Sequence, residues 1–147
     1  MKAQPSPLKC IGYFVSELIL TANPKHRPTD QVALEFDDLL ITSTAEEAKG
    51  DAIRERTWNV ALQIVQNVSD DKKNSPYNFA VAMVGTFRVH STFPAEKVEQ
   101  LVRINGSSIL YSSARQILWD VMGNGPHRPI MLPTVSFIDA VPDNPQS

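Results

Sequence analysis

The side chains that could do chemistry are few and lie far apart in the chain. His26, His90 and His127 have no partner at the spacing that metal ligands usually show. Cys10 is the only cysteine, and it opens an apolar run where a buried thiol is far more common than a nucleophile. No glycine-rich loop joins a predicted strand to a helix, so no phosphate site is indicated. The sequence therefore predicts no catalytic residue, no metal site and no cofactor.

Composition restricts the partners and the compartment. The 147 residues carry a net charge of −2, and no basic stripe suggests nucleic acid as a partner. A single cysteine forms no internal disulfide, which suits a reducing cytoplasm. The first residues lack the apolar run of a signal peptide, and no apolar stretch is long enough to span a bilayer. We expect one cytoplasmic domain over residues 1–147, with residues 1–7 and 141–147 flexible.

The first half of the chain alternates in hydrophobicity as β-strands do. Residues 32–36, 58–65 and 77–89 place apolar side chains at every second position, which predicts antiparallel strands with one buried face. Residues 9–21 are apolar on both faces, which suggests that a second subunit covers part of this strand. Residues 43–55 are rich in charge and alanine, and we expect a loose linker or one helical turn there.

After Val89 the period changes to that of a helix. Pro94 suits a first helical position, and Asn105-Gly106 is expected to end a short helix. Ser107 or Ser108 would cap a second helix, which ends at glycines 123 and 125. The second helix carries an apolar stripe at spacings of three and four, formed by Leu110, Ala114, Ile117, Leu118 and Val121. Strands followed by helices predict an α+β fold: a four-stranded antiparallel sheet with two C-terminal helices packed on one side.

Three short motifs have a familiar order and spacing. They are Gly85-Thr86-Phe87, Leu110-Tyr111-Ser112-Ser113-Ala114-Arg115 and Thr134-Val135-Ser136-Phe137. They resemble the Gly-Ile-Phe, Leu-Phe-Pro-Tyr-Ala-Arg and Pro-Val-Asn-Phe motifs of the SecB family of bacterial export chaperones. The order of predicted elements is similar to that family over roughly residues 8–140, with departures at Ser112, Ser113, Thr134 and Ser136.

The resemblance implies a holdase that keeps unfolded polypeptides in an apolar groove without ATP, metal or cofactor. It implies a homotetramer built as a dimer of dimers, acting in export or on a specialised client such as an antitoxin. On this reading the groove is lined by Phe87, Leu110, Tyr111, Ile117, Leu118 and Val121, with Ile130 and Leu132 at its rim. The expected oligomer interface comprises Val15, Ile19, Val98, Leu101 and Val102.

The same resemblance raises a question about the export motor SecA, which SecB proteins contact through acidic residues on their sheet. Glu17 keeps one of these positions, whereas Thr21 and Ala80 replace others, so we expect weak SecA binding. Arg115 is expected either to be exposed or carboxylate-paired, or to tie the helix to a neighbouring strand or subunit.

Two other readings stay open at this point. One is an adaptor or assembly protein without a client groove. The other is a small enzyme with a hot-dog fold, although that fold places its long helix before most strands. A catalytic carboxylate would also be expected near the helix start, and residues 105–118 contain none.

Overall fold

The computed structural model describes residues 1–27, 38–50, 56–67 and 75–138. Four strands form one antiparallel sheet: β1 is Leu8–Ala22, β2 is Leu40–Glu47, β3 is Thr57–Gln66 and β4 is Tyr77–Val89. Their order across the sheet is β1-β4-β3-β2, so β1 and β2 lie at its edges. The predicted α+β fold is confirmed. The order of elements also differs from the hot-dog arrangement, because all four strands precede the helix.

Strand β2 differs from the prediction. The strand expected at residues 32–36 lies outside the described residues, and residues 43–47 belong to a strand rather than to a linker or a turn. Every residue of β2, from Leu40 to Glu47, pairs with β3. The face of β2 toward the helix carries Ile41, Ser43 and Ala45, which are half-buried. Because two of these three side chains are small, the hydrophobic period of this strand is weak.

One helix, here called α1, replaces the two that the sequence predicts. It runs without a break from Ala95 to Met122, which is 28 residues. It consists of a 3₁₀ turn, Ala95–Lys97, an α-helical turn, Val98–Leu101, a π-helical turn, Val102–Gly106, and an α-helix, Ser107–Met122. The expected break at Asn105-Gly106 is thus a π-turn, because both residues keep helical hydrogen bonding.

The expected caps are also wrong, since Ser107 and Ser108 lie inside α1. The hydroxyl of Ser108 donates to the carbonyl of Ile104 at 2.7 Å. The hydroxyl of Ser107 shares a hydrogen bond with that of Ser43, and so ties the helix to β2. The end of α1 at Met122, with Gly123 as its C-terminal cap, agrees with the prediction.

Helix α1 packs on one face of the sheet, and two glycines mark tight places in this packing. A Cβ atom on Gly85 would lie 2.8 Å from Cε2 of Phe87 and 2.9 Å from Cδ2 of Leu110. A Cβ on Gly106 would lie 3.1 Å from Cγ2 of Val60. Glycine at both positions therefore leaves room for the side chains packed between helix and sheet. The core between sheet and helix contains alternate residues of β3 and β4: Trp58, Val60, Leu62, Ile64, Tyr77, Phe79, Val81, Met83, Phe87 and Val89.

Two kinds of feature are absent from residues 1–27, 38–50, 56–67 and 75–138. No helix there combines the length and apolar content needed to cross a membrane. No group of three or more His, Cys, Asp or Glu side chains there could hold a metal ion.

Candidate functional site

The chain doubles back after α1 and lies along the helix. We call residues 127–138 the return segment. The N–H of Ile130 donates to Sδ of Met122 at 3.5 Å, and Nε of Arg115 donates to the carbonyl of Leu132 at 3.1 Å. The hydroxyl of Tyr111 donates to the carbonyl of Pro133. Because later residues of the segment meet earlier residues of the helix, the two run antiparallel.

A buried tyrosine anchors the start of the return segment to the sheet. The hydroxyl of Tyr77 accepts from the N–H of His127 at 2.9 Å and donates to the carbonyl of His127 at 2.8 Å. Nε2 of His127 also lies 2.8 Å from the carbonyl of Asn23, just after β1. A Cβ on Gly125 would lie 2.3 Å from the Tyr77 hydroxyl, so only glycine lets the chain pass here.

The return segment is extended but is not a strand of the sheet. In the described part of the chain, no backbone–backbone hydrogen bond joins residues 128–138 to β1–β4. Instead, side chains bind its carbonyls, Ile130 and Leu132 enter the core, and the ring of Phe137 meets that of Tyr111 edge-on at 5.9 Å. The helix thus holds an extended polypeptide by apolar pockets and by donors to the main chain.

Arg115 and Tyr111 supply those donors. Arg115 was expected either to be exposed or carboxylate-paired, or to tie the helix to a neighbouring strand or subunit. The structure is closer to the second expectation, because Arg115 ties the helix to an extended segment of its own chain. Burial raises the pKa of Tyr111, and the positive charge of Arg115 opposes part of that increase. Tyr111 is therefore neutral at physiological pH and keeps its hydroxyl hydrogen for the carbonyl of Pro133.

The predicted groove residues come together around the contact of α1 with the sheet, but most are buried. Their exposed fraction is at most 1% for Phe87, Leu110, Leu118 and Leu132, and below 10% for Tyr111 and Ile130. Ile117 and Val121 are half-buried. As the protein stands, only these last two present substantial surface to a ligand. Helix periodicity found the apolar face, but this face is largely core.

The predicted interface residues separate into two groups. Val98 and Val102 are buried residues of α1 itself, and Leu101 of the same helix is half-buried. In contrast, Val15 is 38% and Ile19 is 52% exposed on β1. They belong to a larger exposed apolar set on this edge strand: Ile11, Tyr13, Phe14, Val15, Leu18 and Ile19.

The exposed residues of β1 lie on both faces of the sheet. Val15 is opposite Met83, whose side chain is buried under the helix, whereas Ile19 is opposite Ala80 on the uncovered face. The expectation that this strand is apolar on both faces is met. Leu8, Cys10 and Leu20 pack against the core, but the described residues leave most of the strand between Ile11 and Ile19 exposed on both faces.

The three positions compared with the SecA-binding acids share the uncovered face. Glu17 is opposite Ala82, and Thr21 is opposite Asn78, so both lie on the same face as Ala80. Glu17 is exposed. The structure thus groups these positions, although only one of them is acidic.

Tyr77 and Gly125 were not predicted as site residues. Tyr77 reads only as one more apolar position of a strand, because its partner His127 is 50 residues away in sequence. A glycine three residues beyond a helix end is readily interpreted as part of the helix stop. No local signal distinguishes these roles.

Comparisons with known proteins agree with this geometry. The family model described as "Preprotein translocase subunit SecB" matches residues 42–142. No curated protein sequence matches significantly. Among solved structures, one similar to this chain is a SecB-like chaperone of Mycobacterium tuberculosis in complex with a ChAD peptide from the HigA1 antitoxin. The TM-score is 0.53 and the sequence identity 14%, and the alignment covers 88% of this chain and 91% of that one. A Streptococcus agalactiae protein of unknown function has a TM-score of 0.50 and 12% identity, covering 86% and 97%. At these identities, the structural likeness shows the fold alone.

Proposed function

Since this chain belongs to the SecB family, we propose that it acts as a chaperone that binds non-native polypeptides without ATP. The observation that carries the proposal is the return segment, an extended polypeptide already seated along α1. Arg115 and Tyr111 hold its main-chain carbonyls, which every polypeptide offers. Such contacts suit clients that share no sequence.

The proposed client groove lies along α1 beside the return segment. Ile117 and Val121 offer its accessible apolar surface, and Leu110 and Leu118 lie within the core below them. Burying one large apolar client side chain contributes about 1.5–3 kcal/mol. Several such sites along one groove would hold an unfolded client by multivalency.

We also propose a homo-oligomer, a dimer of dimers, in which a second copy covers β1. Among the described residues, this strand has a sheet neighbour on one side only, and its exposed apolar side chains lie on both faces. An unpaired apolar edge strand is a surface that soluble proteins normally cover. Val15 and Ile19 are the proposed contacts, whereas Val98 and Val102 already serve the core of the single chain.

The proposed site of action is the cytoplasm, and the proposed client is an aggregation-prone polypeptide. The M. tuberculosis chaperone binds an antitoxin peptide, which supports an antitoxin as one candidate client. Delivery to SecA is proposed to be weak. Glu17 alone supplies charge at the compared positions, and an exposed ion pair contributes at most about 1 kcal/mol. Calorimetric titration with the cognate SecA tests this, and sub-micromolar affinity would indicate an ordinary export chaperone instead.

Light scattering of a heat-labile client tests the chaperone function. We expect a severalfold molar excess of this protein to suppress aggregation in the absence of nucleotide. Ile117→Asp and Val121→Asp should weaken suppression, because each places a charge on the accessible groove surface. Ser112→Asp adds the same charge at an exposed helical position and should leave suppression intact. Circular dichroism verifies that all three fold. Unchanged client aggregation with the wild-type protein would refute the proposal.

A further inference from the structure

A cleft lies where β1 begins and β4 ends, away from the return segment. Its volume is about 380 Å³. The lining residues that matter here are Ser6, Lys9, Arg56, Arg88 and His90. Three of them carry a positive charge, a fourth is a histidine, and none is a carboxylate. In a chain whose net charge is −2, this is a local concentration of cations.

Two of these cations are neighbours on adjacent strands, and no carboxylate of the described residues pairs with them. Lys9 is directly opposite Arg88 in the antiparallel register, which places both side chains on the same face. Like charges at such positions repel and destabilise the pair. Both residues are exposed, and in the described part of the chain neither forms an ion pair. A bound anion would relieve this repulsion.

The hydrogen bonds of Arg56, His90 and Ser6 leave the cleft with positive charge and with hydrogen-bond donors for an anion. Nη1 of Arg56 donates to the carbonyls of His90 at 2.9 Å and Phe93 at 2.6 Å, which fixes its charge at the cleft wall. The N–H of Thr92 donates to Nδ1 of His90 at 3.2 Å. The neutral imidazole therefore carries its hydrogen on Nε2. Ser6 accepts the N–H of Leu8 at 3.2 Å, so its own hydroxyl hydrogen remains available.

We propose that this cleft binds a carboxylate of an acidic segment in a polypeptide ligand. Lys9 and Arg88 supply the attraction, and Arg56 supplies a fixed positive wall. A polypeptide fits better than a free anion because Ile11, two residues beyond Lys9 on β1, is 46% exposed and lies before the proposed oligomer contacts Val15 and Ile19. An acidic residue held in the cleft would let a neighbouring apolar residue contact Ile11. The inference rests on the proposed function, since the ligand is a polypeptide.

Fluorescence anisotropy with two labelled peptides tests the cleft. One peptide carries four glutamates beside an apolar stretch, and the other carries glutamines in their place. At low salt we expect the wild-type protein to bind the glutamate peptide about tenfold more tightly, as two exposed ion pairs allow. The preference should vanish in the double variant Lys9→Ala/Arg88→Ala.

The matched control is Lys25→Ala/Arg128→Ala, which removes the same charge from two exposed residues near the opposite end of β1. It should keep the preference. Equal binding of both peptides by the wild-type protein would overturn the proposal, and so would a preference that survives in Lys9→Ala/Arg88→Ala.

Two further measurements separate the alternatives. Sodium chloride and inorganic phosphate, at matched ionic strength, should weaken glutamate-peptide binding equally, because screening acts on exposed charges. Selective displacement by phosphate would overturn the carboxylate assignment. Lys9→Ala/Arg88→Ala should still suppress aggregation of a client that lacks an acidic segment. If the wild-type protein does not suppress that aggregation but prefers the glutamate peptide, the proposed chaperone function is refuted and the proposed peptide site in the cleft is supported.

Discussion

Tyr77→Phe should destabilise the protein through the loss of one buried hydroxyl. That hydroxyl accepts from the N–H of His127 and donates to its carbonyl, and the Tyr77 side chain is 1% exposed. One hydrogen bond contributes about 0.5–1.5 kcal/mol net, so two give about 1–3 kcal/mol. His127 is half-buried, and water can replace part of the loss. We therefore expect the free energy of unfolding to fall by about 2 kcal/mol.

Urea unfolding followed by circular dichroism measures this change. Protein concentration must be held constant, because assembly stabilises the folded state. For a chain of this length, the expected loss corresponds to a decrease in Tm of about 4–8 °C. The amide of His127 should also exchange its hydrogen faster, because the start of the return segment loses its anchor.

Tyr13→Phe is the matched control. Tyr13 is 49% exposed, and its hydroxyl has no hydrogen bond in the described part of the chain. Its removal should change stability by less than about 0.5 kcal/mol. If Tyr77→Phe and Tyr13→Phe have equal effects, the hydroxyl of Tyr77 does not anchor the return segment.

Three further predictions concern packing, pH and assembly. Gly85→Ala should cost about 1–3 kcal/mol in urea unfolding, because its Cβ would overlap Phe87 and Leu110, whereas Gly12→Ala meets nothing within 4 Å and should be neutral. The free energy of unfolding should fall as pH rises above about 10, because burial raises the pKa of Tyr111 in the folded state above its unfolded value. The stabilisation from neutral Tyr111 is fully present at lower pH. Tyr111→Phe should therefore show a shallower loss of stability at alkaline pH. Ile19→Asp should shift the sedimentation mass toward the 16.3 kDa of one chain, while Thr42→Asp, also exposed on the uncovered face, should not. A wild-type protein that sediments as a monomer at micromolar concentration would rule out the oligomer.

Hydrophobic periodicity predicted the strands and their buried faces correctly where large side chains occupy one face of a strand. In β4, every second residue from Tyr77 to Val89 is buried, so the strand and its inner face followed from the sequence. In β2, the inner face carries Ser43 and Ala45, because the space above is filled by the helix and the Ser43–Ser107 hydrogen bond. A strand whose inner side chains are small has little period to detect.

The helix and the groove were harder to predict, for a different reason. Asn105-Gly106 reads as a helix break, but Gly106 is there because a larger residue would press on Val60. Periodicity likewise marked Leu110 and Leu118 as one apolar stripe without showing what covers it. Contacts between distant parts of the chain decide both questions, and a local pattern does not contain them.

The π-turn at Val102–Gly106 makes α1 sensitive to its exact length. Val98, before the turn, and Val102, its first residue, face the core, and after the turn Leu110 and Ala114 do. The extra residue in the wide turn keeps these two halves in phase. Deleting one residue there would restore a regular α-helix but rotate one half by about 100° relative to the other. One of the two buried stripes would then point into water. Apart from Gly106, we expect this stretch to accept substitutions far more readily than insertions or deletions, so that homologous helices should keep their residue count here even where their sequences differ.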